Sequence, residues 1–410
     1  MESYDALVNF YSLLGVPCSF RILAGFLLTG FLLASPGALL PIWGYHIETD
    51  YPAIGVYFLS FAIGIIGAVE GRPYIPAFRP TAALLASACA MACGGLLLLA
   101  ATPTSTPALW SVAWRMFGFL IIGASTGFVN TGLVGALSPM YARDPGATVT
   151  VAGVFFGLGC LVAALLGVAA YYADLGSRML VWGVWGAAIP ACLGLLYFRA
   201  RFSAPDVVGA ATITQALMEF RSPATVLSAL LLPIQFGNEW SFGGWLPLFL
   251  IHRIGISPET ALTFLSVYWL VLLAGHIAAF RWLVHRRHPR QTLFLTAWAA
   301  LFGCLILLKT DNQLGAWAGT LLVSAGFAAL SPLIAGRIGT CFHDYHSGFF
   351  NGVFAFAIAG GLLAPALLGW LADSAGIWVV VGLPLFGTAI VFALLLAIWI
   401  NGKLGTRAAT

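Results

Sequence analysis

The stretch YPAIGVYFLSFAIGIIGAVE, Tyr51–Glu70, carries no charge until its last residue. At about 1.5 Å of rise per residue, a helix over these positions is about 30 Å long, the thickness of the hydrocarbon core of a bilayer. Outward from it, similar stretches recur along the whole chain. They lie at residues 20–44, 79–102, 107–138, 148–172 and 177–199 before the middle, and at 223–251, 259–284, 291–309, 314–338, 347–372 and 376–400 after it. With 51–70 they make twelve spans, so the sequence predicts an all-α, multi-pass membrane protein. Connections are short. The longest, 200–222, is polar and divides the chain into residues 1–199 and 223–410, each with six spans.

Composition agrees. Apolar side chains make up 61% of the 410 residues and charged ones 8%, against about 25% charged in an average soluble domain. So few charges cannot cover a soluble surface of this size without large apolar patches. The net charge of +4 comes from scattered loop residues, which gives no case for nucleic acid. Cys89 and Cys93 lie four apart on one helical face, but no histidine or second cysteine pair joins them, so the reading is core filler. Residues Met1 to Pro17 lack the basic start and cleavage site of a signal peptide. The first span is expected to act as its own insertion signal.

Lysine and arginine set the expected orientation. With the N-terminus in the cytoplasm, only Arg115, Arg178, Arg253 and Lys309 of the eighteen basic residues fall on the far side. An even number of spans with both termini cytoplasmic follows, in a membrane expected to be a bacterial inner membrane. The two parts also echo each other. Phe58-Leu59-Ser60 of the second span returns as Phe264-Leu265-Ser266 of the eighth. Gly159 with Leu165-Leu166-Gly167 returns as Gly361 with Leu367-Leu368-Gly369, and Trp43 matches Trp245. Two parallel six-helix bundles with a cavity between them are expected.

A charge inside the hydrocarbon costs roughly 2.5–3.5 kcal/mol on insertion scales, so it needs a partner or a function. The seventh span holds Gln235, Asn238, Glu239 and Phe242 at i, i+3, i+4 and i+7, one helix face, near Trp240 and Trp245. Two amides and a carboxylate beside indole faces suit a polyhydroxylated solute, and Glu239 can also carry a proton. An interhelical polar clamp is the alternative. Arg115 shares a stripe with Phe119, Ile122, Thr126 and Asn130; it either meets a carboxylate or the solute, or reaches out to the far surface. His276, in line with Trp269 and Leu273, is a proton relay or a hydrogen-bonded core histidine. Glu70 with Arg72 is expected to form a gate. Asn130, Asn351 and Trp269 are candidate solute contacts, with Tyr268 as an aromatic wall. The run from His285 to Arg290 reads as a topology anchor, and His343, Asp344 and His346 as a solvated loop. No nucleotide loop, nucleophile triad or zinc spacing occurs, so neither an enzyme nor a resident cofactor is expected.

Twelve spans in two parts with a central loop resemble the major facilitator superfamily. Arg115-Met116-Phe117-Gly118, with Gly123, Gly127 and Asn130, is similar to its span-four pattern, and Gly67-Ala68-Val69-Glu70-Gly71-Arg72 is a reduced form of its loop motif, without the usual aspartate. Gly237-Asn238-Glu239, Ser241-Phe242-Gly243-Gly244-Trp245, Gly255-Ile256-Ser257, Tyr268-Trp269 and Ala357-Ile358-Ala359-Gly360-Gly361 resemble the fucose/galactose/glucose porters. The resemblance implies a proton- or sodium-coupled sugar symporter with Glu239 at the acidic position of span seven. The expectation is therefore a monomeric secondary transporter of a small polar solute, a monosaccharide, with substrate contacts at Gln235, Asn238, Glu239, Trp245, Asn130, Trp269 and Asn351. Proton coupling is expected at Glu239, Arg115 and His276. The rival is a proton-driven exporter of amphipathic compounds.

Overall fold

A computed structural model describes residues 17–47, 49–74, 81–102, 108–143, 145–173, 177–199, 211–220, 223–283, 289–341 and 349–408. Twelve long helices follow one another: α1 Pro17–Ile42, α2 Tyr51–Gly71, α3 Thr81–Ala100, α4 Ala108–Arg143, α5 Pro145–Tyr171, α6 Arg178–Phe198, α7 Pro223–Phe249, α8 Pro258–Leu283, α9 Pro289–Lys309, α10 Gln313–Cys341, α11 Phe349–Ala375 and α12 Val379–Ala408. A short linker helix, Ile213–Met218, precedes α7. Among the described residues, eleven of the twelve are long and apolar enough to cross a membrane. The exception is α7, which carries Gln235, Asn238, Glu239 and Ser241. The run His285–His288 and the cluster His343, Asp344 and His346 lie outside the described residues, as do residues 1–16 and 200–210.

Helix is the structure that satisfies every backbone group within the segment, which lipid demands. The boundaries have local causes. Asp50 caps α2 by accepting from the Ala53 amide at 3.0 Å, with Pro52 in the first turn. Gly44 after α1 and Gly255 after α7 turn the chain with φ of +81° and +76°, a conformation that costs glycine least.

The helices repeat their packing six positions on. Helix α1 lies against α5, α2 against α4, and α3 against α4 and α6; in turn α7 lies against α11, α8 against α10, and α9 against α10 and α12. The echoes in the sequence thus correspond to a repeated arrangement. The two sets meet through α2 with α11, α5 with α8, and α1 with α7. Bare glycines allow the closest approaches. A methyl group on Gly159 would strike the carbonyl of Leu27 on α1, and one on Gly30 would strike the carbonyl of Phe156 on α5. In lipid such close packing stands in for the hydrophobic drive that water supplies elsewhere.

Gly159→Ala is therefore expected to lower the thermal unfolding midpoint in detergent by several degrees, corresponding to an overpacking cost of about 1–3 kcal/mol. Gly67→Ala serves as the control, since its added methyl meets nothing within 4 Å. Equal midpoints for the two variants would contradict the glycine-mediated packing of α1 on α5.

Candidate functional site

Helix α7 runs from the end of the molecule that carries the linker helix to the opposite, far end. Near its middle the Gln235 side-chain amide donates to a Glu239 carboxylate oxygen at 2.9 Å, the i to i+4 bond that a helix favours. Both residues are buried, at 0% and 2% exposure. The Tyr268 hydroxyl from α8 donates to the backbone carbonyl of Glu239 at 3.1 Å, and Trp269 packs on the bare flank of α7 at Gly243. Glu239 is thereby held from its own helix by Gln235 and from α8 by Tyr268. Asn238, one residue earlier, is turned to α12, where its carboxamide fills the space beside Gly387.

Hydroxyls in most of the helices close onto their own backbone. Thr29 donates to the Gly25 carbonyl, Ser60 to Val56, Thr126 to Ile122 and Thr131 to Gly127. The surroundings of α7 differ. Gln235 Oε1, Asn238 Nδ2, Trp240 Nε1, Ser241 Oγ, Trp269 Nε1 and Thr320 Oγ1 are all buried with no partner among the described residues. Four of the six are on α7, and α8 and α10 that supply the others pack against it. Leaving a buried polar group unbonded costs about 1–3 kcal/mol, so the middle of α7 and the helices beside it hold hydrogen-bonding capacity that the described residues do not use.

The other sequence candidates separate to the two ends. At the linker end, the Asn130 amide of α4 donates to Asn351 of α11 at 3.2 Å, and Asn351 donates to the Ala211 carbonyl at 2.9 Å. These amides, expected as solute contacts, hold the two helix sets to each other and to the linker. Glu70 accepts from both the amide and the hydroxyl of Thr214, at 2.9 and 3.1 Å, which ties α2 to the linker helix. Arg72 follows it in the short turn after α2. His276, two helical turns from Tyr268 and therefore about 12 Å nearer the linker end, is hydrogen-bonded through Nδ1 to the Leu272 carbonyl and faces Gly153 of α5.

At the far end, Trp245 is stacked between Tyr51 and Phe58 of α2, with ring centroids at 6.3 and 6.4 Å, and its indole N–H donates to the Pro365 carbonyl at 3.1 Å. Methyls on Gly37 or Gly55 would strike the carbonyls of Gly243 or Ala366 across the junction. Trp245 is thus packed between the two helix sets at the far end. Arg115 lies there too: one Nη donates to the Tyr45 hydroxyl at 3.0 Å, and its guanidinium is 4.6 Å from the centroid of the Trp43 ring.

Tyr45, Thr49 and His252 were not legible as site residues, because they sit beyond the helical stripes. The Thr49 hydroxyl donates to the Tyr45 carbonyl, so His252 Nε2–H is the donor across the 2.9 Å contact between the helix sets. Burial lowers the pKa of His252 below its ordinary 6.5, opposed by the Tyr45 carbonyl. Burial also lowers His46, opposed by the Pro41 carbonyl and Glu259 and reinforced by His252 and Arg178. The packing of the far end thus favours neutral imidazoles. Its advantage is complete above pH 6.5 and is lost as pH falls through the lowered values. Spin labels at Tyr172→Cys and Leu314→Cys, both exposed positions at this end, are expected to move apart between pH 7.5 and 5. The same widening in a His46→Gln/His252→Gln protein would remove the histidines from the account.

No protein-family model matches this chain, and no curated protein matches it in sequence. Solved structures do match. The fucose:proton symporter of E. coli is 18% identical over 93% of this chain and 98% of its own, with a TM-score of 0.63. A D-xylose-proton symporter is 15% identical over 91% and 96%, with a TM-score of 0.66. A human organic anion transporter is 14% identical over 92% and 98%, with a TM-score of 0.60. The likeness runs from end to end while the identities stay low, and this multi-pass membrane protein has the fold of the major facilitator superfamily.

Proposed function

We propose that this chain is a secondary active transporter that carries a small polar solute, a monosaccharide, by alternating access and couples the movement to protons through Glu239. The observation that carries this reading is the buried, unpartnered polar atoms on α7 and on α8 and α10 packed against it, with the Gln235–Glu239 pair at the middle of α7. Gln235 Oε1 accepts, Ser241 and Thr320 both donate and accept, and the Trp269 indole donates and offers an apolar face. That mixture matches hydroxyls on a ring. Sugar:proton symporters among the structures of the same fold support it.

In this mechanism residues 1–199 and 223–410 rock as two units about the junction, joined by residues 200–222. The linker end is cytoplasmic, as are both termini, in a bacterial inner membrane, and the far end faces outward. Trp245 between Tyr51 and Phe58 is the outer closure. Asn130–Asn351 and Glu70–Thr214 form the inner one. A charged Glu239 is costly away from water, so the proton and the solute enter together. Each can shift the equilibrium only by binding one state better than the other.

Radiolabelled monosaccharide uptake into proteoliposomes, with and without an inward proton gradient, tests this. Gradient-driven accumulation at least tenfold above the level without a gradient is expected. In Glu239→Gln, which mimics the protonated side chain, accumulation is lost and solute exchange is retained. Proton-linked efflux of hydrophobic cations without sugar uptake would replace this reading by that of an exporter of amphipathic compounds.

A further inference from the structure

Arg115 stands in a group of side chains that is almost entirely made of donors. The guanidinium carries five N–H bonds and accepts none. One of them goes to the Tyr45 hydroxyl at 3.0 Å. The Tyr45 and Tyr57 hydroxyls share a single hydrogen bond, so two hydroxyl protons and one shared bond leave one proton over. Arg115 Nε–H and Trp43 Nε1–H are buried and have no partner among the described residues. The Trp43 and Tyr45 rings lie against the guanidinium, with centroids at 4.6 and 5.4 Å.

A positive charge placed within a span is usually balanced by a carboxylate. Among the described residues Arg253 pairs with Asp311, remote from Arg115 in sequence and carried by other elements. What stabilises Arg115 is two aromatic faces and a neutral hydroxyl. Cation–π contacts of this kind are worth about 0.5–2 kcal/mol, and among the described residues no carboxylate pairs with Arg115.

Arg115, Phe119, Ile122, Thr126 and Asn130 share one stripe of α4. At the lower end of that stripe Asn130 touches Asn351 of α11, across the junction. Phe119, one turn below Arg115, is fully buried against Trp43, Tyr57 and Phe61. Arg115 therefore lies at the far end among side chains of α1 and α2, on the stripe that meets the junction at Asn130. Trp43, Tyr45 and Tyr57 all belong to the same helix set as Arg115, so the group stays together when the two sets part.

We propose that Arg115, the Trp43 indole N–H and the Tyr45–Tyr57 hydroxyl pair form an anion-recognition site at the far mouth of the transport path, built for a carboxylate. A carboxylate brings about four acceptor positions and no donor, the complement of this group, and arginine meets it with two parallel bonds. It would neutralise the guanidinium, take the free Nε–H and accept from Trp43. On the reading that the solute is a sugar, this site selects an acidic sugar over its neutral counterpart. The binding itself is independent of Glu239, of a proton gradient and of transport.

Equilibrium binding to the purified full-length protein in nanodiscs tests the site, with no transport step involved. The probes are D-galacturonate and D-gluconate, with D-galactose as the neutral comparison and sodium sulfate as a control for charge alone. Binding is followed by quenching of intrinsic tryptophan fluorescence. The two carboxylates are expected to bind at least tenfold more tightly than galactose or sulfate. Arg115→Gln is expected to weaken carboxylate binding at least tenfold and leave galactose binding unchanged. Trp43→Phe, which keeps an aromatic face and removes the N–H, weakens it severalfold and carries the test if Arg115→Gln does not fold. Equal binding of galactose and galacturonate, or carboxylate binding that survives both substitutions, would overturn the assignment. So would variants that lower only the unfolding temperature, since that is the behaviour of a purely structural arginine. A failure of proton-driven uptake alone leaves these measurements standing, which keeps the two ideas separable.

Discussion

Lipid offers no hydrogen bonds, and most of this architecture follows from that. The backbone closes into twelve helices because no other open-chain structure satisfies its own polar groups. The same demand falls on side chains. Thr29, Ser60, Thr126 and Thr131 return their protons to carbonyls one turn back and so vanish as polar groups. Where this closure fails, as at Gln235, Ser241, Trp269 and Thr320, the molecule holds unspent hydrogen-bonding capacity. The middle of α7 and its neighbours hold one concentration of such atoms, and Trp43 with Arg115 at the far end holds another.

Association between the helices rests on a different consequence of the same solvent. Lipid does not push apolar surfaces together, so contact depends on shape. Glycines let α1 meet α5, and α1 meet α7, at backbone distance. Within a helix set these contacts include flat backbone-to-backbone approaches, such as Gly30 with Phe156. At the junction they are joined by a few polar links, Asn130–Asn351 at one end and Thr49–His252 at the other. Links of this kind are each worth only about 1 kcal/mol net. The junction is thus held by close glycine contacts together with weak polar links at its two ends.

Tryptophan serves two purposes in this molecule, and spacing alone did not separate them. Trp245 follows the polar stripe of α7 by six residues from Glu239 and was grouped with it as a solute contact. It is instead wedged between Tyr51 and Phe58 with its N–H satisfied. Trp269, whose N–H is unpartnered, lies against α7 at Gly243. The difference is set by which neighbour each indole finds, and those neighbours come from α2 and α11, distant in sequence.

By itself the sequence determined the twelve helices, their approximate ends, the internal repeat and the polar centre of gravity in α7. These depend on local quantities: segment length against bilayer thickness, the i to i+4 geometry that joins Gln235 to Glu239, and the cost of any charge within a span. Tertiary structure alone decided the assignments that need two distant segments. Asn130 and Asn351 looked like separate solute contacts, yet they are each other's partner, because α4 and α11 cross at that level. Asn238 shares a stripe with Glu239 on paper but turns to Gly387, since a helical face is wide enough for neighbours one residue apart to meet different helices. Thr49 and His252 fall outside every periodic stripe, and only the meeting of two helix ends gives them a common role. Periodicity reports which side of a helix a residue occupies; what lies on that side is fixed by packing.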